Sequence, residues 1–117
     1  MIFIHREALL KLKDSLSATM KVKPVLKSLR SEGILTRHDV NAIRKNKRND
    51  VQIKALIELL VKKFDDAFDF LIEALHKSDQ KDLVNFIMIE VVKGMHLVFF
   101  NICRQDVRVR KQLNFWS

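Results

Sequence analysis

Apolar residues recur along this chain at steps of three and four, the spacing that lines up one face of an α-helix. Leu9, Leu12, Leu16 and Met20 form the first such stripe, with Lys11, Lys13 and Asp14 off it. Pro24 suits the first turn of a second helix, where its missing N–H would have no partner, and Val25, Leu26 and Leu29 continue that helix to a stop at Gly33. Thr36 is placed to cap a third helix and Asp39 to favour its positive end, before Val40 and Ile43 turn inward. Residues 44–50 include no apolar side chain and read as an exposed connection. A fourth helix is predicted to bury Ile53, Leu56, Ile57, Leu60, Val61 and Phe64. A fifth, capped by Asp65 or Asp66, turns Phe68, Leu71, Ile72 and Leu75 inward. A sixth, capped by Ser78 or Asp79, does the same with Leu83, Phe86 and Ile87. Beyond Ile89 the apolar residues follow one another too closely for periodicity to choose between a longer sixth helix, a seventh helix and a loosely ordered segment. The pattern describes an all-α bundle of six short helices with brief links.

Composition fits that picture. The chain has 117 residues, 48% hydrophobic and 31% charged, with two Gly and one Pro, so one domain with one core is expected and disorder is excluded. The single cysteine, Cys103, rules out an internal disulfide, and the N-terminal residues do not resemble a secretory signal, so an intracellular, cytoplasmic protein is expected. The longest apolar stretch, Val84 to Cys103, is broken by Glu90, Lys93, Gly94 and His96; charges at a bilayer centre cost roughly 2.5–3.5 kcal/mol each, which disfavours a membrane span.

Catalytic and metal chemistry find little support. Gly33 and Gly94 are too far apart for a phosphate-cradling loop. His5, His38, His76 and His96 are scattered, and the nearest ligand-like spacing, His76, Asp79 and Asp82, reads as solvated surface. Asp66, Asp69 and Glu73 fall on one outward stripe of the fifth helix, an acidic face with no pocket implied, which complements the helix dipole or meets a partner. No cofactor and no enzymatic activity are expected.

The formal charge of +8 calls for an acidic partner, and its distribution narrows the choice. Residues 1–60 carry a net +7, residues 61–90 a net −3 and residues 91–117 a net +4. Opposite patches on one small domain favour head-to-tail association of like domains. Nucleic-acid binding is the alternative: Arg44, Lys45, Lys47 and Arg48 can neutralise phosphates, and the third helix would present Arg37, His38 and Asn41 to a groove. Against it, the chain has no Tyr, Trp116 is near the end, and most of the eight Phe fall at predicted core positions, leaving few stacking platforms.

The order Leu9-Leu10, Gly33-Ile34-Leu35-Thr36, Leu59-Leu60-Val61-Lys62-Lys63 and Ala67-Phe68-Asp69-Phe70-Leu71-Ile72-Glu73-Ala74-Leu75 resembles the caspase recruitment domain, or CARD. The last run is similar to that family's Ala-Phe-x-x-Phe-x-x-Ala-Leu pattern, with Leu71 for the second Phe, and Lys81-Asp82-Leu83 resembles the start of its sixth helix. The resemblance implies a six-helix antiparallel death fold with a bent first helix over residues 1–90, followed by a C-terminal extension over residues 91–117. It implies binding to another CARD, of an initiator caspase or an apoptotic adaptor, so as to recruit or block it in the regulation of apoptosis. In such pairs one domain offers bases on helices one and four and the other offers acids on helices two and three. Lys13 and Lys54 fall at the basic positions, with Arg6, Lys11 and Lys63 nearby; Glu32 and Asp39 fall on the acidic face, and Asp66, Asp69 and Glu73 are further acidic candidates. Lys23, Lys27, Arg30 and Arg37 dilute that acidic face, and Lys63-Phe64-Asp65 stands where many caspase prodomains have Arg-Gly.

Overall fold

The computed structural model describes residues 1–105, with side chains as far as residue 96. Among these residues the chain forms six helices and no strand: α1 (Phe3–Thr19), α2 (Val22–Ser31), α3 (Arg37–Arg44), α4 (Asn49–Leu60), α5 (Asp66–Lys77) and α6 (Lys81–Gln105). The first helix is continuous over its 17 residues, so the bend implied by the family resemblance does not divide it. It packs chiefly on α4 and α6, while α2 packs on α5 and more lightly on α3 and α4. The core they share includes Leu9, Leu16, Leu26, Leu29, Ile53, Leu56, Leu71 and Leu75, all fully buried. Removing side chains of this size from water stabilises by roughly 1.5–3 kcal/mol each, which is how short helices of modest propensity hold together.

Two helix ends show how local chemistry sets the chain's direction. At the end of α2, Gly33 adopts φ 79° while the amides of Gly33 and Ile34 donate back to Arg30 and Leu29 carbonyls. This left-handed stop satisfies carbonyls that the helix would otherwise leave open. A methyl group on Gly33 would meet nothing within 4 Å, so only the backbone resists substitution. Left-handed geometry costs an L-residue about 1–2 kcal/mol, partly offset by reduced freedom of the unfolded chain. Gly33→Ala is therefore expected to lower stability by about 1 kcal/mol, read from the midpoint of chemical unfolding with an unchanged slope.

Asp79 makes the same stop after α5, with φ 60° and the Gln80 amide donating to Leu75. Ser78 Oγ donates to the Ala74 and Leu75 carbonyls. The pair that the sequence assigns to the start of the sixth helix thus ends the fifth, because Asp tolerates the left-handed region and a short hydroxyl reaches back to the preceding turn. Asp65 does occupy the N-cap position of α5, but its side chain makes no capping bond; it faces the Met1 amine at 3.5 Å. Thr36 caps α3 as expected, and Asp39 returns a bond to the Thr36 amide, completing a capping box.

Three aromatic expectations are corrected. Phe64 continues the apolar spacing of the fourth helix, but α4 ends at Leu60 and the turn that follows leaves Phe64 86% exposed. Phe86 is also exposed: α6 buries Ile87 as expected and Leu83 in part, but its buried stripe runs through Val84, Ile87 and Val91, which turns Phe86 outward. With Phe3 exposed as well, Phe68 is buried and Phe70 partly buried against the core, so among the described residues most Phe do not occupy core positions. The connection predicted over 44–50 shortens at both ends, with Arg44 inside α3 and Asn49 and Asp50 inside α4. Past Ile89, α6 continues without a break to Gln105, resolving the open choice there in favour of a longer sixth helix; residues 106–117 of the expected extension lie outside the described residues.

Two side-chain amides fix the α1–α2 corner. Asn49 Nδ2 donates to the Met20 carbonyl at 2.8 Å, and Asn49 Oδ1 accepts from the Val22 amide at 3.2 Å. Gln80 holds Lys21 between them, accepting from its amide at 2.8 Å and donating to its carbonyl at 3.3 Å. Periodicity carries no trace of these bonds, since they join residues far apart in sequence.

Candidate partner-binding surfaces

The seam between α1 and α4 brings Lys13 and Lys54 together, each with an acid across the seam. Lys13 lies 3.2 Å from Glu58, and Lys54 lies 3.5 Å from Asp14. The expected pair of bases is thus half of a four-charge cluster with no net charge. Exposed ion pairs of this kind contribute roughly 0.2–1 kcal/mol, so they can be exchanged for pairs to an incoming surface at little cost.

The other sequence candidates are spread over different surfaces. Lys11 reaches Glu90 of α6 at 2.9 Å, and Arg6 lies over the Phe3 ring at 5.6 Å. Lys63, from the basic set, pairs with Asp39, from the acidic set, at 3.2 Å. The Thr36 amide and the Lys63 ammonium both hold the Asp39 carboxyl below its ordinary range. Their stabilisation is complete above the ordinary carboxylate value of about 3.9 and is lost as pH falls through the depressed one. Glu32 and Glu73 share Lys77 at 3.3 and 3.1 Å, tying α2 to α5, and the two carboxylates, Glu73 first, hold that ammonium above its usual range. Asp66 and Asp69 stay exposed and make no ion pair among the described residues.

The structure also assigns a position to His5 that spacing did not single out. Its ring stacks on Phe68, with centroids 3.8 Å apart and planes 12° from parallel, and its Nδ1 is buried with no hydrogen-bond partner. Burial lowers the imidazole pKa, against the opposing pull of Asp69 and Asp65. Below about pH 6.5 the unfolded chain therefore takes up a proton that the folded one resists, and stability falls as pH drops from there towards the lowered value. His5→Phe keeps a stacked ring without the titration. Its melting temperature should fall less than the wild type's between about pH 7.5 and about pH 5.5.

Among the described residues no group of three or more His, Cys, Asp or Glu is placed to hold a metal ion, and no helix is long and apolar enough to cross a membrane. What the surface does offer is charge on a rigid helical frame. The six-helix arrangement is that of the death-fold class, whose members are interaction modules. Residues 6–90 match the caspase recruitment domain, and the chain belongs to that family. A search of curated proteins finds no match to the chain.

Proposed function

We propose that this chain is a non-enzymatic cytoplasmic CARD that pairs with the CARD of an initiator caspase or of an apoptotic adaptor, and so recruits or blocks it. The family match over residues 6–90 carries the class of partner, another CARD or death-fold domain. The α1–α4 seam supports the surface: Lys13 and Lys54 are held on adjacent, well-packed helices, and their present partners Glu58 and Asp14 are exposed and readily displaced. An acidic helical face approaching the seam would take over both ammonium groups at once. Several such pairs are needed for useful affinity, so binding should weaken with salt.

The test is a pull-down with purified caspase prodomains and adaptor CARDs, run beside a duplex gel shift. Retention of one CARD, lost at high salt, is the expected result. Retention of none, with a duplex shift that disappears on neutralising Arg44, Lys45, Lys47 and Arg48, would favour the nucleic-acid reading instead.

A further inference from the structure

Only part of α6 belongs to the bundle. Its inner stripe of Val84, Ile87 and Val91 is buried, and it runs antiparallel to α1, with Glu90 meeting Lys11. Four residues on, a methyl group at Gly94 would sit 3.8 Å from Ile4 Cγ2. Ile4 is in the first turn of α1, so by Gly94 the sixth helix has reached the start of the first. From Met95 to Gln105 it continues for about 16 Å past that point.

The side of this helix that faces water is apolar. Met88, Ile89, Val92 and Met95 share one face at helical spacing and are 39–56% exposed. At the start of α1, which α6 passes here, Ile2 and Phe3 are exposed as well. The sequence carries the same spacing onward through Phe99, Ile102 and Cys103, and between Met95 and Cys103 only His96 and Asn101 are polar. Single exposed apolar side chains are ordinary, whereas a contiguous run of them marks a contact site.

Two features choose the occupant. The first is charge: from Val91 to Gln105 there is no acid, the charged residues are Lys93 and Arg104, and residues 91–117 carry a net +4. Glu90, just before this stretch, is already paired with Lys11. The second is width. A partner helix covers a narrow seam of alternating three- and four-residue steps, and Leu97 and Phe100 fall outside the seam that runs through Met88, Val92, Met95 and Phe99. A lipid surface covers a broader apolar arc and asks for no complementary shape, only for area and the right sign of charge.

We infer that α6 from Met88 onward, with Ile2 and Phe3, docks on an anionic lipid surface, the helix lying in the plane of the headgroups. Among the described residues no helix is long and apolar enough to cross a bilayer, but a helix lying on one needs a single apolar face. Anionic lipids are concentrated in the cytoplasmic leaflet, so the basic residues after Gln105, Arg108, Arg110 and Lys111, add attraction there. Asp66 and Asp69 of α5 would be repelled by such a surface, which confines the contact to α6 and the first residues of α1. It uses neither Lys13 nor Lys54, so its failure would leave the proposed pairing at the α1–α4 seam intact, and the reverse holds too.

Flotation of the full chain with lipid vesicles tests it. The chain should rise with vesicles of phosphatidylcholine containing roughly one-third phosphatidylserine, less so at high salt, and stay behind with phosphatidylcholine alone. Val92→Glu with Met95→Glu, at exposed positions, should weaken binding more than about tenfold, while Val92→Leu with Met95→Leu should bind like the wild type. Reversing Arg108, Arg110 and Lys111 to Glu should weaken it too and flatten the salt dependence. Unchanged far-UV circular dichroism would show the variants folded. No flotation with the anionic vesicles, equal flotation with phosphatidylcholine alone, or a Val92→Glu, Met95→Glu protein that floats like the wild type would each overturn the proposal. So would a wild type that dimerises in sedimentation velocity, loses the dimer in that variant and does not float, since the apolar face would then be covered by a second copy.

Discussion

Phe68→Ala is expected to reduce the free energy of unfolding by about 3–5 kcal/mol, a large part of what a domain of this size has to lose. Phe68 is 2% exposed on the inner face of α5, and its ring forms one side of the stack with His5 of α1. Truncation removes the transfer free energy of the ring and opens a cavity between two helices whose neighbours are already close-packed. It also deprives the His5 ring of the surface that shields it. The effects at the two positions should therefore not add: in a double-mutant cycle with His5→Ala, a coupling of about 0.5–1.5 kcal/mol is expected from the aromatic pair. Leu75→Ala, at a fully buried position in the last turn of α5, should cost about 2–5 kcal/mol. Phe64→Ala, four residues before Phe68, should change stability by less than about 0.5 kcal/mol because its ring is in water. Urea titrations of the three variants compare them directly, with equal slopes showing that only stability has changed. A Phe64→Ala loss as large as that of Phe68→Ala would contradict the placement of the α4–α5 turn.

The double reversal Lys13→Glu with Lys54→Glu should lower affinity for a CARD partner at least tenfold, or about 1.4 kcal/mol, measured by titration calorimetry. The intramolecular pairs complicate this experiment in a way that the structure resolves. Each new Glu would face an existing acid, Glu58 or Asp14, so the variant acquires repulsion across the α1–α4 seam. Some stability is lost for a reason unrelated to the partner. Adding Glu58→Lys and Asp14→Lys reverses the whole cluster, restoring attraction within the chain while still moving the bases from their original positions. Stability should recover in that fourfold variant. Affinity should stay low if an incoming acidic face reads Lys13 and Lys54 at their own positions, and its full recovery would show that the double reversal acted only by loosening the seam.

The helical bundle was legible in the chain for a simple reason: burial against neighbouring helices demands apolar residues every three or four positions, and that demand is written linearly. Leu9, Leu12 and Leu16 in α1, or Leu71 and Leu75 in α5, are buried where their spacing placed them. The family pattern in α5 was legible in the same way, because its residues are adjacent in sequence. Helix ends were less so. Gly33 announces its left-handed stop, whereas Asp79 performs the same task with a residue that also suits an N-cap, and Phe64 keeps the spacing of a helix that has already ended. Periodicity measures which residues would share a face if the helix continued, and it contains no term for the bonds that stop it.

Charge divides in the same manner. The sequence by itself determined the number of bases and acids, their excess at the front of the chain, and the outward stripe of Asp66, Asp69 and Glu73 on α5. Only the tertiary structure decided which charges were already spent on one another. Lys13 and Glu58 are 45 residues apart, and Lys63 and Asp39 are 24 apart, yet each pair lies within 3.2 Å. Coulomb attraction depends on distance through space, which the packing of α1 on α4 and of α3 on α4 sets and the order of residues does not. Among the described residues the same packing leaves Lys23, Lys27, Arg30 and Arg44 without an ion pair around the groove between α2 and α3, and it is there that the excess positive charge acquires a shape.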